Sequence, residues 1–399
     1  MTDVVLLNGV FPPDQYGGAE NYVQRTAIAL KNRGYDVSIL TTSSYQDLDS
    51  LRIRTEERDG IMIHRFYPAN IAHRSNGTGD NVFMKGIWHQ LDTVNPHAKR
   101  VVEGFLNDHD PDVVHTNNFM GITASTGKAV AESDARYVHT LHDYSLICPK
   151  SNLLRDWTLP GDELGVCQSP PAPCRMYARA KREMIGQPDI VIGPSQHVID
   201  VHRKHGFFEE IEATRIQHGI KEHAEQVPQN TSKAVLFIGK HLRAKGLDTL
   251  FEAARMVPDV TIHLCGTGPY DYRSEEVATE LENVEYHGFV SEARLKKLRR
   301  TVSAAVVPSI WMENSPLTIY ENFAEGLPVI GADIGGIPEL IHQDRGRLFP
   351  PGSADKLAYQ IRDFINDCDI NSKRVNALHW AETQTMDKHV RQLLNSYNF

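Results

Sequence analysis

Short apolar runs of strand length alternate along this chain with glycine-rich or polar turns and with amphipathic segments of helical period. Val4 to Leu7, Val37 to Leu40, Ile61 to Arg65, Val113 to His115, Tyr137 to Leu141 and Ile190 to Gly193 read as strands of a first part. Ala234 to Ile238, Val260 to Cys265, Val284 to Tyr286, Ala304 to Val307 and Pro328 to Ile330 repeat the rhythm in a second. Between them, Glu20 to Asn32, Leu247 to Met256 and Glu292 to Arg300 carry the period of helices. Strands alternating with helices build parallel sheets, so the pattern predicts an α/β protein of two Rossmann-like, doubly wound domains. Ile220 to Lys233, between the strand-like Arg215 to His218 and the run from Ala234, lacks apolar periodicity and reads as the interdomain linker. Asn70 to Asn81 reads as a mobile loop.

Composition narrows the class. With 399 residues, 41% hydrophobic and 23% charged, the chain is too long for one small core and too ordinary for disorder, collagen or coiled coil. Lys plus Arg is 42 against 51 Asp plus Glu, a net charge of -9, which argues against a surface built as a whole for nucleic acid. Met1-Thr2-Asp3 passes straight into Val4-Val5-Leu6-Leu7 without the basic start of a secretory signal, and no apolar run approaches the roughly 20 residues of a membrane span. Five sparsely placed cysteines suit a reducing compartment, and a cytoplasmic location is expected.

Ligands of open α/β sheets bind outside the carboxyl ends of the strands, so chemistry is sought in the loops there. After the first strand, Gly17-Gly18-Ala19-Glu20 runs into a helix; glycines at a helix start expose N–H groups to an anion, although such a turn is more often only a turn. After Ile238, Gly239-Lys240-His241-Leu242-Arg243-Ala244-Lys245-Gly246 gathers cations that would neutralise a diphosphate, against the plain reading of a solvated turn. The densest stretch is Pro308 to Glu321, followed by Ala324-Glu325-Gly326-Leu327-Pro328-Val329-Ile330 and Gly335-Gly336-Ile337-Pro338-Glu339. Glu313 and Glu321 fall at a strand exit and about two turns into a helix starting near Pro316, so the pair can reach two parts of one ligand. The plain alternative is a pair of solvated glutamates.

These motifs, with Pro111-Asp112-Val113-Val114-His115, Val138-His139-Thr140-Leu141-His142-Asp143-Tyr144 and Gly193-Pro194-Ser195, make the chain resemble retaining glycosyltransferases of family 4, nearly end to end. The resemblance implies the GT-B architecture, with two Rossmann-like domains facing across a cleft. Residues 1–219 would bind the acceptor and 220–380 the nucleotide-sugar donor, with a last helix over 381–399 packing back on the first. It implies that Glu313 contacts the transferred sugar and that Glu321 binds the ribose hydroxyls. Lys245 would meet the donor phosphates, as would Lys240, which stands where the family more often has arginine. Backbone N–H groups of Gly17 and Gly18, and of Asn314, Ser315, Pro316, Leu317 and Thr318 as a segment, would line the diphosphate and sugar, Pro316 itself having no N–H to give. Gly266 would lie near the nucleobase, and His142 near the reacting sugar.

The implied reaction is transfer with retention from a nucleoside diphosphate sugar, UDP-linked in preference to GDP-linked, to a hydroxyl acceptor in polysaccharide, glycolipid or glycoconjugate synthesis. Positioning and leaving-group stabilisation would carry it, with no protein nucleophile, cofactor or metal. A GT-B UDP-sugar epimerase and a non-catalytic sugar-nucleotide-binding protein are the other classes. Asp-x-Asp pairs at Asp47/Asp49, Asp108/Asp110, Asp110/Asp112 and Asp367/Asp369 are assigned no ion. Cys148, Cys167 and Cys174 could supply zinc ligands, but their spacing lacks a CxxC pair and buried or free thiols are the commoner outcome. Ser195 reads as a helix N-cap, not a nucleophile. Arg175, Arg179 and Arg182, with Lys181 adjacent, could meet anionic lipid or a phosphate-bearing acceptor at the inner membrane face, a solvated helix face being the commoner case.

Overall fold

A computed structural model of the protein describes residues 2–14, 17–77, 79, 81–155, 165–227 and 232–398. The chain divides into two compact units, the first formed by residues up to Leu153 with Cys167–Gln217 and His389–Phe399, the second chiefly by His218–Lys388.

The first unit is organised by β1 (Asp3–Leu7), β2 (Asp36–Thr42), β3 (Arg54–Arg58), β4 (Ile61–Phe66), β5 (Val113–Thr116) and β6 (Arg136–Thr140). After β7 (Leu154–Arg155) and β8 (Gly165–Val166), which pair as a separate hairpin, β9 (Ile190–Gly193) and β10 (Glu212–Arg215) complete it. Its sheet runs β10-β9-β6-β5-β1-β2-β4-β3, parallel except for β3 against β4. Val4, Val5, Leu6 and Leu7 are wholly buried, as expected of a central strand covered by helices on both faces. β3 was hidden from periodicity because Arg54-Thr55-Glu56-Glu57-Arg58 is polar and exposed throughout, which suits a sheet edge. The strand expected at Arg215 to His218 lies instead at Glu212–Arg215.

The second unit holds β11 (Ala234–Ile238), β12 (Thr261–Cys265), β13 (Val284–Tyr286), β14 (Ala304–Val307), β15 (Val329–Ala332) and β16 (Gly346–Phe349), all parallel in the order β13-β12-β11-β14-β15-β16. One sheet face packs on the helices Leu247–Met256 and Ala354–Ile365 through Leu250, Phe251, Leu357 and Ile361. The other packs on Leu317–Ala324 and Ile370–Glu382 through Ile319, Phe323, Ala377 and Ala381. The last helix is Met386–Tyr397; Ala381 and Glu382 close the helix before it.

Two of the segments read as irregular carry fixed points near their starts. The Asn70 to Asn81 loop is pinned by His73, 2% exposed, whose ring nitrogens meet Thr42, Ser44 and Ser75 hydroxyls at 2.9, 3.3 and 2.7 Å. Thr78 and Asp80 of that loop lie outside the described residues. The proposed linker is tied down at its start: Ile220 N–H donates to the Gln384 carbonyl and Ala224 N–H to the Ala324 carbonyl, both at 2.7 Å. Residues 228–231 lie outside the described residues.

Candidate active site

β11 leads to β12 on one side of the second sheet while β14 lies on the other, so the loops leaving β11 and β14 part around a topological switch point. Gly246 ends the β11 loop at φ +75° and lies against Pro308 with no room for a Cβ. Ile310 N–H donates to the Ala244 carbonyl at 3.0 Å. The two loops are thus held together, and this puts Lys245 on Glu313.

Glu313 is 4% exposed, and its Oε1 accepts from Lys245 Nζ at 2.6 Å, Ser309 Oγ at 2.7 Å and Trp311 Nε1 at 2.8 Å. Its Oε2 takes no hydrogen bond from any described residue. Lys245 also sits over the Trp311 ring, 5.2 Å from its centroid. Behind the carboxylate, Gly335 at φ +62° presses on the Glu313 backbone where a side chain would collide, and Gly336 N–H donates to the Glu313 carbonyl at 2.7 Å. The result is a carboxylate fixed through one oxygen and free to accept through the other, next to a cation.

The other residues of this unit fall around the same strand ends. Lys240 is exposed and makes no ion pair among the described residues, whereas Arg243 pairs with Asp248 at 3.1 Å. Asn314 and Ser315 are buried, Ser315 Oγ bonding Tyr320 Oη at 2.8 Å, and Pro316 caps the helix Leu317–Ala324, whose first turn holds Leu317 and Thr318. Glu321 is the fifth residue of that helix, a little over one turn in instead of two, because the helix starts at Leu317. Its Oε2 lies 3.4 Å from buried Arg299, which also bonds Glu292 and Asn322. Gly266, at φ +130°, packs against the Gly239 carbonyl, and its N–H donates to the Gly288 carbonyl at 2.8 Å.

In the first unit, Gly17 precedes the helix Gly18–Lys31 in extended conformation, and the nearby Glu20 carboxylate, 4% exposed, lies where a Gly17 Cβ would point. Burial raises the Glu20 pKa, partly opposed by a bond to its own N–H and by Arg74. His142 Nε2 donates to Asn117 Oδ1 at 2.9 Å; the Asn117 amide is oriented by donating to the His115 carbonyl at 3.1 Å. Burial, then His115, His139 and His389, pull the His142 pKa down to about 3, so at neutral pH it is an uncharged imidazole with Nδ1 as acceptor.

Sequence reasoning gave no role to Ser309, Trp311 and Gly335, although it singled out the stretches that hold them, and missed Asn117. The first two stand inside the Pro308 to Glu321 stretch, yet nothing in residue type says that they turn onto Glu313. Ser195 is an N-cap, accepting from Val198 N–H at 3.3 Å. Lys181 does not join the basic face: it is buried against Asp92 at 2.8 Å, while Arg175, Arg179 and Arg182 are exposed and bonded locally to Pro170, Glu183 and Gly206. Cys148, Cys167 and Cys174 are free thiols, and the described residues show no metal-sized grouping of them. Of the Asp-x-Asp pairs, Asp47 caps a turn, Asp112 accepts Asp3 N–H, and Asp367 pairs with Arg347 and Lys373. No described helix is long and apolar enough to cross a membrane.

Residues 17–216 match the family model "Glycosyl transferase 4-like domain" and residues 220–377 match "Glycosyl transferases group 1". The chain belongs to the family-4-type glycosyltransferases. It is 26% identical over 342 residues, 85% of this chain and 87% of the relative, to an "Uncharacterized 42.6 kDa protein in cps region" of Klebsiella pneumoniae. Over 137 residues, 31% of this chain and 34% of the relative, it is 30% identical to the amylovoran biosynthesis glycosyltransferase AmsK of Erwinia amylovora. The crystal structure of Anabaena HepE in complex with UDP superposes with a TM-score of 0.70 at 18% identity, covering 100% of both chains. Together these establish a glycosyltransferase of GT-B fold.

Proposed function

We propose that this glycosyltransferase moves a sugar, with retention at the anomeric carbon, from a UDP-sugar to a hydroxyl acceptor in the synthesis of a polysaccharide or glycoconjugate. The observation that carries the reading is the Glu313 carboxylate, locked through Oε1 by Lys245, Ser309 and Trp311 with Oε2 left for a ligand hydroxyl. The UDP bound by the Anabaena neighbour supports the base, and the role in amylovoran synthesis of the Erwinia relative supports the acceptor class.

On this reading Lys245 and Lys240 take the charge developing on the diphosphate as the glycosidic bond breaks, and the N–H groups of the helix Leu317–Ala324 add to that stabilisation. The acceptor hydroxyl attacks from the leaving-group face and passes its proton to the departing phosphate oxygen. Glu313 accepts a sugar hydroxyl and faces the positive charge of the ring without forming a bond to it. His142 and the Gly17–Gly18 backbone are assigned to the reaction from the first unit by resemblance. The epimerase alternative is not favoured.

Calorimetry with UDP, GDP, ADP and their common sugars, in excess EDTA, is expected to show saturable binding of the uridine series alone. Binding of none of them, or binding only with added Mn²⁺, would reject the proposal. Glu321→Ala should weaken nucleotide binding about 10-fold, the loss of about 1.4 kcal/mol expected for one hydrogen-bonded contact. Arg299 keeps Glu292 and Asn322, so the melting temperature should hardly move. An unchanged nucleotide affinity would remove Glu321 from the ribose.

A further inference from the structure

At the edge of the second sheet β12 and β13 run parallel with His263 opposite Glu285. Strand alternation puts residues 285 and 287 on one side, and His287 N–H extends the ladder to the Leu264 carbonyl at 2.9 Å. His263, Glu285 and His287 therefore project from one side of two neighbouring strands. Their donor atoms converge: His263 Nδ1 is 3.0 Å from His287 Nε2 and 3.2 Å from Glu285 Oε2, and the last two are 3.7 Å apart. A tetrahedral ion with bonds of about 2.0–2.1 Å holds its ligand atoms about 3.3–3.4 Å apart, and the three observed separations bracket that value.

We propose that His263, Glu285 and His287 form a binding site for a transition-metal ion of the zinc class, with the fourth position open to water. Two imidazoles and one carboxylate select Zn²⁺ or Co²⁺ over Mg²⁺ and Ca²⁺, which prefer oxygen. Both histidine side chains are largely buried, at 14% and 13% exposed, while Glu285 at 53% leaves a way in from solvent. Arg294, on the helix Glu292–Thr301, adds positive charge near His287, and the Glu285 carboxylate offsets it. The ion would clip β12 to β13 just before the turn in which Gly266 N–H meets the Gly288 carbonyl. The site lies at the sheet edge and does not depend on the donor reading.

The test is a titration of the chelator-treated full chain with Co²⁺, read by visible absorption, then displacement by Zn²⁺, read by calorimetry. One equivalent of Co²⁺ giving the intense visible bands of a tetrahedral ion is expected, together with a Zn²⁺-dependent rise in melting temperature. His263→Gln and His287→Gln should each weaken binding at least about 10-fold. Glu285→Gln, at an exposed position, provides a variant with little risk to folding and should also lose the tetrahedral bands. Absence of those bands in the wild type, or undiminished binding in the His263→Gln/His287→Gln double variant, would overturn the proposal.

Discussion

Glu313→Gln is expected to lower kcat by about 10²–10³ while leaving the nucleotide Kd within about 3-fold of wild type, the pattern of losing an interaction made chiefly in the transition state. Glutamine keeps the size of the side chain and an acceptor for Ser309 Oγ and Trp311 Nε1, which hold Oε1 at 2.7 and 2.8 Å. It removes the negative charge that faces the sugar ring as positive charge builds there. Lys245 loses its counter-ion, but its side chain is 26% exposed and can be hydrated, so the fold should tolerate the change. Glu313→Ala is the less discriminating variant because it strands the buried Ser309 hydroxyl, at about 1–3 kcal/mol, and the half-buried Trp311 N–H. Steady-state kinetics paired with nucleotide calorimetry on Glu313→Gln gives the answer. Turnover at the wild-type rate, or a loss of nucleotide affinity as large as the loss of turnover, would remove Glu313 from its assigned role.

The central strands were legible because a parallel sheet covered on both faces demands apolar residues at nearly every position, and Val4–Leu7 or Ala234–Ile238 can be little else. The edges of the first sheet were harder to read: β3 and β10 are written mostly in Arg, Thr and Glu, since edge strands face water, whereas the second sheet's edge strand Val284–Tyr286 was legible. At the site, the residue types were visible and the pairings were not. Three cations crowd the loop after β11, and only the fold distinguishes them: Arg243 turns to Asp248, Lys240 faces solvent and Lys245 reaches Glu313 across the β14 loop. The collision that makes Gly335 obligatory is with a backbone 22 positions earlier, which no local pattern announces. The metal-sized group at His263, Glu285 and His287 depends likewise on strand register, a property of the folded sheet.

Register also gathers the histidines that dictate how the first unit responds to acid. His115, His139, His202 and His389 come from four separate elements and are each at most 3% exposed. Burial is the largest influence on all of them, holding His115 and His139 down to about 3 and His202 and His389 to about 4. Among the described residues, the Nε2 atoms of His202 and His389 are buried without a hydrogen-bond partner, so a proton placed there would meet no acceptor from them. The folded unit therefore requires neutral imidazoles, whereas the unfolded chain takes up protons near pH 6.5. Their contribution to stability is complete above about pH 6.5 and falls with pH toward the folded values of about 3–4. At pH 5 each histidine costs about 2 kcal/mol, on the order of 8 kcal/mol together, against the 5–15 kcal/mol that about holds a domain folded. The first unit is expected to unfold between about pH 6 and 5, ahead of the second. The C-terminal helix should be released with it, since His389 bonds the Gln217 carbonyl at 2.7 Å and Tyr397 Oη bonds His115 at 2.7 Å. Hydrogen exchange read peptide by peptide across this pH range separates the two units. Protection in β1, β5 and β6 that outlasts protection in β11 and β14 down to pH 4 would show that these histidines do not set the acid limit.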